Sequence, residues 1–235
     1  MNVAAHFVID STGSMRWVHA YLRETLSNLV YQFEDEGAPI EFSFTAFRDH
    51  RHAPSTWIEH LGFTGEEQVA KARNWLAELK ATGGGGNAGE SSMAGMLYAI
   101  RNSEWPEANR RVVVIFTDDN PHVPDFGVKD WAEVHSTLRD ENVEQVHLFT
   151  DQKHEPGYDE LDDLGYLVVR HPLVRDDAEA LEESIREFIR ISSEGGGEFT
   201  PLVRDESVNP FDSEATPMDA GEDDVDVDEN PFDLG

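Results

Sequence analysis

Residues His6 to Met15 read HFVIDSTGSM, an apolar run that stops at Asp10 and then sets Thr12 and Ser14 on alternate positions around Gly13. Alternate positions on an extended segment turn to one side, so a carboxylate and two hydroxyls face the same way where a buried strand runs out. Such hard oxygen donors suit Mg²⁺ or Mn²⁺, because neutral hydroxyls leave the ion's charge uncancelled and a short ligand list leaves a coordination position open. Capping the helix that follows is the commonest use of the same residue types, so this loop alone does not decide.

Three further stretches carry groups that bear on the choice. FRDHRH brings Asp49, His50 and His52; TGGGGNAGESS brings Asn87 and Glu90; TDDNPH brings Asp118, Asp119 and His122. Asp119 reads as a solvated or capping neighbour of Asp118. The three histidines with Asp49 lack H-E-x-x-H or any other zinc-ligand spacing, and read instead as loop residues shaping a partner surface. Four glycines without a following Lys-Ser/Thr, and without a strand directly before them, do not make a phosphate-binding P-loop.

The elements that must position these loops follow from hydrophobic period. Val3 to Ile9 reads as a buried strand, and Val18, Leu22, Leu26, Leu29 and Phe33 give one apolar helical face ending near Gly37 and Pro39. Ile40 to Phe47 and Trp57 to Phe63 read as strands, and Thr64 with Glu67 forms a capping-box pattern before a helix through Val69, Trp75, Leu76 and Leu79. A short helix over 91–102, the β-branched strand Arg111 to Phe116, a helix Val128 to Asp140, strands Val143 to Phe149 and Tyr166 to Val169, and a helix Ala178 to Ile191 complete the pattern. Strands separated by helices require parallel pairing with right-handed crossovers, hence a doubly wound, mostly parallel six-stranded α/β sheet covered on both faces. The short link Arg48 to Thr56 makes the third strand an antiparallel edge. In such a sheet the loops after the strands meet at the carboxyl edge, so the three stretches above converge there.

Composition narrows the function. A net charge of −30 argues against partners bound through phosphates, both nucleic acid and anionic membrane. The absence of cysteine excludes disulfides, thiolate-ligated zinc and thiol catalysis. No basic-then-apolar leader opens the sequence, so a soluble, cytoplasmic protein is expected. Residues 1–191 are read as the domain. From 192 to 235 fourteen acidic residues face one basic residue, Arg204, and the segment is expected to be a disordered acidic tail. It carries NPFD twice, with Phe211 and Phe232 as apolar anchors of the kind a short docking motif uses.

DSTGS fits the D-x-[ST]-x-S signature of the metal-ion-dependent adhesion site of von Willebrand factor A domains. FTDDNPH resembles that family's third loop, and GGGGNAGE resembles the second loop of an intracellular prokaryotic branch, usually GGGG-D-x-P-E. The resemblance spans roughly residues 1 to 191. It implies that Thr12 and Ser14 ligate Mg²⁺ or Mn²⁺ directly, and that Asp10 and Asp118 act directly or through water. The second loop departs from the pattern: Gly86 and Asn87 stand where adhesion-type members have threonine, leaving Asn87 or Glu90 for the fifth contact. Together the three loops favour a metal site over simple capping. The implied activity is a non-enzymatic protein-binding adaptor working beside an AAA+ ATPase, kinase or phosphatase, with Asp49, His50, Glu90 and His122 near the partner and Phe211 and Phe232 as a second attachment. The alternative is a metal-dependent hydrolase using the His/Asp loops.

Overall fold

The computed structural model describes residues 2–82, 89–108, 110–163 and 167–193. Six strands, β1 (Val3–Asp10), β2 (Ile40–Phe47), β3 (Ile58–Leu61), β4 (Arg110–Thr117), β5 (Gln145–Thr150) and β6 (Leu167–Pro172), form one sheet in the order β3-β2-β1-β4-β5-β6. All neighbours pair in parallel except β2 and β3, which are antiparallel. The chain moves outward from β1 to β2 on one side and returns to β4 on the other, so the sheet's switch point lies between the carboxyl ends of β1 and β4. Asp10 and Thr117 end those two strands.

Both faces are covered, which is why β1 and β4 are nearly continuous apolar runs. Helices α1 (Arg16–Asp35), α2 (Gln68–Glu78) and α5 (Ala178–Ser193) belong with one core, in which Phe7 meets Phe42, Phe44, Phe116 and Phe188 at ring-centroid distances of 5.1–6.3 Å. Helices α3 (Ser92–Asn102) and α4 (Trp131–Asp140) belong with the second core, around Val8, Val113, Ile115 and Leu148.

Several boundaries differ from those expected. Thr64 makes no side-chain cap; Gly65–Glu67 form a 3-10 turn, and α2 starts at Gln68, whose amide bonds Ile40 O and Phe42 N of β2. Tertiary pairing of that amide sets the helix start. Helix α4 starts at Trp131 and not Val128, because Asp130 accepts from Glu133 N at 3.2 Å while Glu133 accepts from Lys129 N at 3.0 Å. Strand β6 runs on through Arg170, His171 and Pro172, paired with β5, whereas Tyr166 lies outside the described residues. A 3-10 stretch, Glu155–Asp163, lies between β5 and β6, and α5 continues two residues past the expected boundary to Ser193. The tail beyond, with Phe211 and Phe232, lies outside the described residues.

Helix α3 approaches β2 so closely that a Cβ on Gly95 would lie 2.8 Å from the Phe47 ring. Gly95→Ala should therefore lower the urea midpoint, by about 1–3 kcal/mol in stability from overpacking, although alanine favours an isolated helix by up to ~1 kcal/mol. An unchanged or raised midpoint would show that α3 can lift away at no cost.

Candidate functional site at the carboxyl edge of β1 and β4

Asp10 is fully buried at the end of β1. One oxygen accepts Thr12 N at 2.8 Å and the other accepts the Thr117 hydroxyl at 3.3 Å. The Thr12 and Ser14 hydroxyls lie 3.2 Å apart, on the same side of the turn. Thr12 sits where a cap residue would, ahead of the 3-10 turn Gly13–Met15 and α1, yet its side chain makes no capping bond. The hydroxyls are thus not consumed by the helix start.

The residues after the glycine run are stitched to the loop after β4. Glu90 N donates to Asn120 O at 2.8 Å and His122 N donates to Glu90 O at 3.0 Å, making a short parallel bridge between Glu90 and Pro121. Glycine is required just before it: Gly89 has φ +116, and a Cβ there would lie 2.5 Å from His122 Nδ1. The bridge brings the Glu90 carboxylate, only 5% exposed, into the field of Asp10, Asp49, Asp118 and Asp119. Among the described residues, Glu90 Oε2 is buried with no hydrogen-bond partner.

The third group lies beside this cluster. Asp49 is held by Arg51 N at 2.9 Å, by the His52 ring and by His122 Nε2 at 3.4 Å. Desolvation works to raise the Asp49 carboxyl, but the Arg51 amide and the two histidines outweigh it and hold it below the ordinary range. His50 N bonds Ser91 Oγ at 3.1 Å and its ring stacks on Phe126 at 4.0 Å, away from Asp49's two histidine partners.

Of the residues expected to hold metal, Asp10, Thr12, Ser14 and Asp118 come to this edge; Asn87 lies outside the described residues. Among those expected near a partner, Asp49, Glu90 and His122 are buried and His50 is half-buried. Among the described residues no three His, Asp or Glu side chains form a group able to hold an ion by themselves. Sequence reasoning missed the supports. Asp125 accepts Ala94 N at 2.9 Å and so caps α3 from another loop, Tyr158 bonds Ser92 Oγ and Asp119 O at 3.0 Å each, and the buried Arg48 guanidinium ties Thr56 O, Glu59 and Lys80 O together. Only their polar character inside otherwise apolar surroundings could have marked them.

Among solved structures, the fold is similar to a pilus adhesin, SpaC, from Lactobacillus rhamnosus GG in its open conformation (TM-score 0.54, 13% identity, covering 82% of this chain and 30% of that one). It is equally similar to a von Willebrand factor type A protein from Catenulispora acidiphila (TM-score 0.54, 17% identity, 82% of this chain and 42% of that one). The fold is that of a von Willebrand factor A domain. Comparison with protein-family models and with curated proteins gave no match. The chain spans less than half the length of either structural neighbour.

In this A-type fold the switch-point edge is electrostatically frustrated. Burial raises Glu90 to about 9, and Asp10, Asp49, Asp119 and Asp118 push the same way. Burial also raises Asp10 to about 7, with Asp118 adding to it and the Thr12 amide and Thr117 hydroxyl offsetting part. A carboxyl with a raised folded value binds its proton more tightly in the folded state, so metal-free stability falls as pH climbs from the ordinary carboxyl range through the folded value. Glu90→Gln removes that loss. In EDTA the variant should gain stability over the parent between pH 5 and pH 8, on the order of 2 kcal/mol by thermal or urea unfolding. Equal pH profiles would mean that Glu90 is not confined with its neighbours.

Proposed function

We propose that this chain is a non-enzymatic protein-binding module whose contact point is the oxygen cluster at the end of β1, and that Mg²⁺ or Mn²⁺ is the ion this cluster holds. The observation that carries the reading is the Glu90 carboxyl, buried in the field of Asp10, Asp118 and Asp119 with one oxygen that has no hydrogen-bond partner among the described residues. A carboxyl buried this way keeps its proton until a positive charge arrives to replace it, and among the described residues no Lys or Arg side chain pairs with Glu90, Asp10, Asp118 or Asp119, the last having His154 at 3.7 Å. A divalent cation supplies what is missing.

The donor chemistry fits. Asp10, Thr12, Ser14 and Asp118 would hold the ion, and Glu90 is the described residue placed to supplement them. When bound, the ion offers a positive centre to a carboxylate of a partner protein. The chain's own residues do the rest: Thr117 and the Thr12 amide fix Asp10, the Glu90–Pro121 bridge fixes the second loop, and Tyr158 fixes Asp119 O. The hydrolase alternative needs a histidine free to act as base over the cluster. His52 Nδ1 is bonded to Asp49, His50 is stacked on Phe126, and His122 turns Nε2 toward Asp49 at 3.4 Å without a hydrogen bond among the described residues.

Calorimetric titration of Mg²⁺ or Mn²⁺ into the full chain should give saturable one-site binding, weakened at least tenfold by Asp10→Ala or Ser14→Ala. The same ions should raise the unfolding midpoint of the parent, by about 2.7 kcal/mol at one hundred times the Kd, and leave the variants nearly unmoved. Absence of both heat and stabilisation in the parent would overturn the reading.

A further inference from the structure

A second feature lies against the same β1–α1 turn. A groove of about 340 Å³ runs between α1 and the end of α2, with Arg16, Arg23 and Lys80 on its sides and Leu76 and Leu79 in its lining. Among the described residues no carboxylate lines it, in a chain with 48 acidic and 18 basic residues. Arg16 and Lys80 have no ion-pair partner among the described residues, and the one recorded for Arg23 is a long contact of 3.7 Å to Glu24. The Arg48 guanidinium, bonded to Lys80 O at 2.6 Å, adds positive charge beneath, shared with Glu59. His19 also lines the groove and reaches Asp10 O at 3.1 Å; burial lowers it to about 4, so it contributes a neutral ring. Thr82 closes the end by donating to Ser11 O at 3.0 Å, so the groove and the oxygen cluster share a wall. The groove reverses the field of the protein around it.

We propose that this groove receives the chain's own acidic segment, residues 219–233, DAGEDDVDVDENPFD. Three properties match. The segment has eight acidic residues and no basic one. Its centre alternates strictly, Asp224, Val225, Asp226, Val227, Asp228, so an extended backbone turns aspartates to one side and valines to the other, toward basic walls and an apolar lining. It can also reach. Arg110 at the start of β4 bonds Ser192 O, which puts the end of α5 at the sheet edge opposite the groove, and the 20-residue α1 measures that span as ~30 Å. Residues 194–221 can cover at most ~90 Å. Seated there, the segment lies beside the cluster and covers it against an acidic partner.

The test is a labelled peptide of residues 219–233, titrated in EDTA so that the outcome does not depend on an ion in the neighbouring cluster. It is added to the full chain and to a full-length variant in which the acidic residues of 219–233 are replaced by Asn and Gln. The peptide should bind the neutralised chain, more weakly as salt rises, and bind the parent at least tenfold more weakly because the parent's own segment holds the groove. In the neutralised background, Arg16→Glu/Arg23→Glu/Lys80→Glu should abolish binding. Lys129→Glu/Arg139→Glu/Lys153→Glu should not, with circular dichroism confirming that both sets fold. Equal binding to parent and neutralised chains would assign the groove to another protein's acidic segment and overturn the proposal, as would binding to neither. Self-association of the parent that neutralisation removes would place a second copy's tail there, and would overturn it too.

Discussion

Mutually repelling carboxylates held together at the end of β1 are the constraint to which the rest of this structure answers. Left to themselves, Asp10, Glu90, Asp118 and Asp119 would separate into water. The sheet prevents this because Asp10 is the last residue of a strand paired on both sides, and Thr117, beside Asp118, is the last residue of its neighbour. Backbone bonds close the remaining escape: Glu90 to Asn120, His122 to Glu90, and Thr82 to Ser11. Each is worth ~1 kcal/mol net, but all lie on a scaffold whose stability comes from two aromatic and aliphatic cores, so the repulsion is carried by burial elsewhere in the molecule.

What was legible in the sequence followed from period and punctuation. The β-branched run Val112 to Ile115 marks a strand covered on both faces, and the short link after β2 marks an antiparallel edge; from those two readings the switch point, and the meeting of the loops there, are a matter of topology. The pairing of side chains within the site was not legible, because it depends on contacts between residues far apart in sequence. Nothing near Glu90 says that it will bridge Pro121, and nothing near Ser92 says that Asp125 will cap its helix. Local rules also compete. A capping pattern at Thr64 gave way to tertiary bonds of Gln68, while the one at Asp130 and Glu133 prevailed over the apolar spacing that pointed to Val128.

The histidines show a different limit. Loop positions drew the sequence reading to His50, His52 and His122, yet the most deeply buried members lie inside the sheet. His6 bonds Ser43 and Thr45, and His147 bonds His171 at 2.9 Å, its other nitrogen facing Gln145 and Ser192. Burial lowers all three, His171 to about 4. Alternation places His6 and His147 on strand faces, while His171 lies beyond the strand expected over Tyr166 to Val169; alternation cannot tell a solvated face from one sealed by a helix.

These buried histidines and the carboxylate cluster set opposite slopes on stability. A histidine whose folded value is depressed stays neutral in the fold while the unfolded chain takes up protons, so its contribution is complete above the ordinary histidine value and is lost as pH falls toward 4. The cluster works the other way, losing stability as pH rises through the raised values of Asp10 and Glu90. The alkaline limb belongs to the carboxyl edge, and the acid limb to the histidines inside the sheet together with His19, which bonds Asp10 O at that edge. A cation at that edge flattens the alkaline limb and leaves the part of the acid limb set by His6, His147 and His171 unchanged, since those histidines lie outside its ligand set. The pH dependence of folding thus separates relief of the cluster from general stabilisation of the fold, which would lift both limbs together.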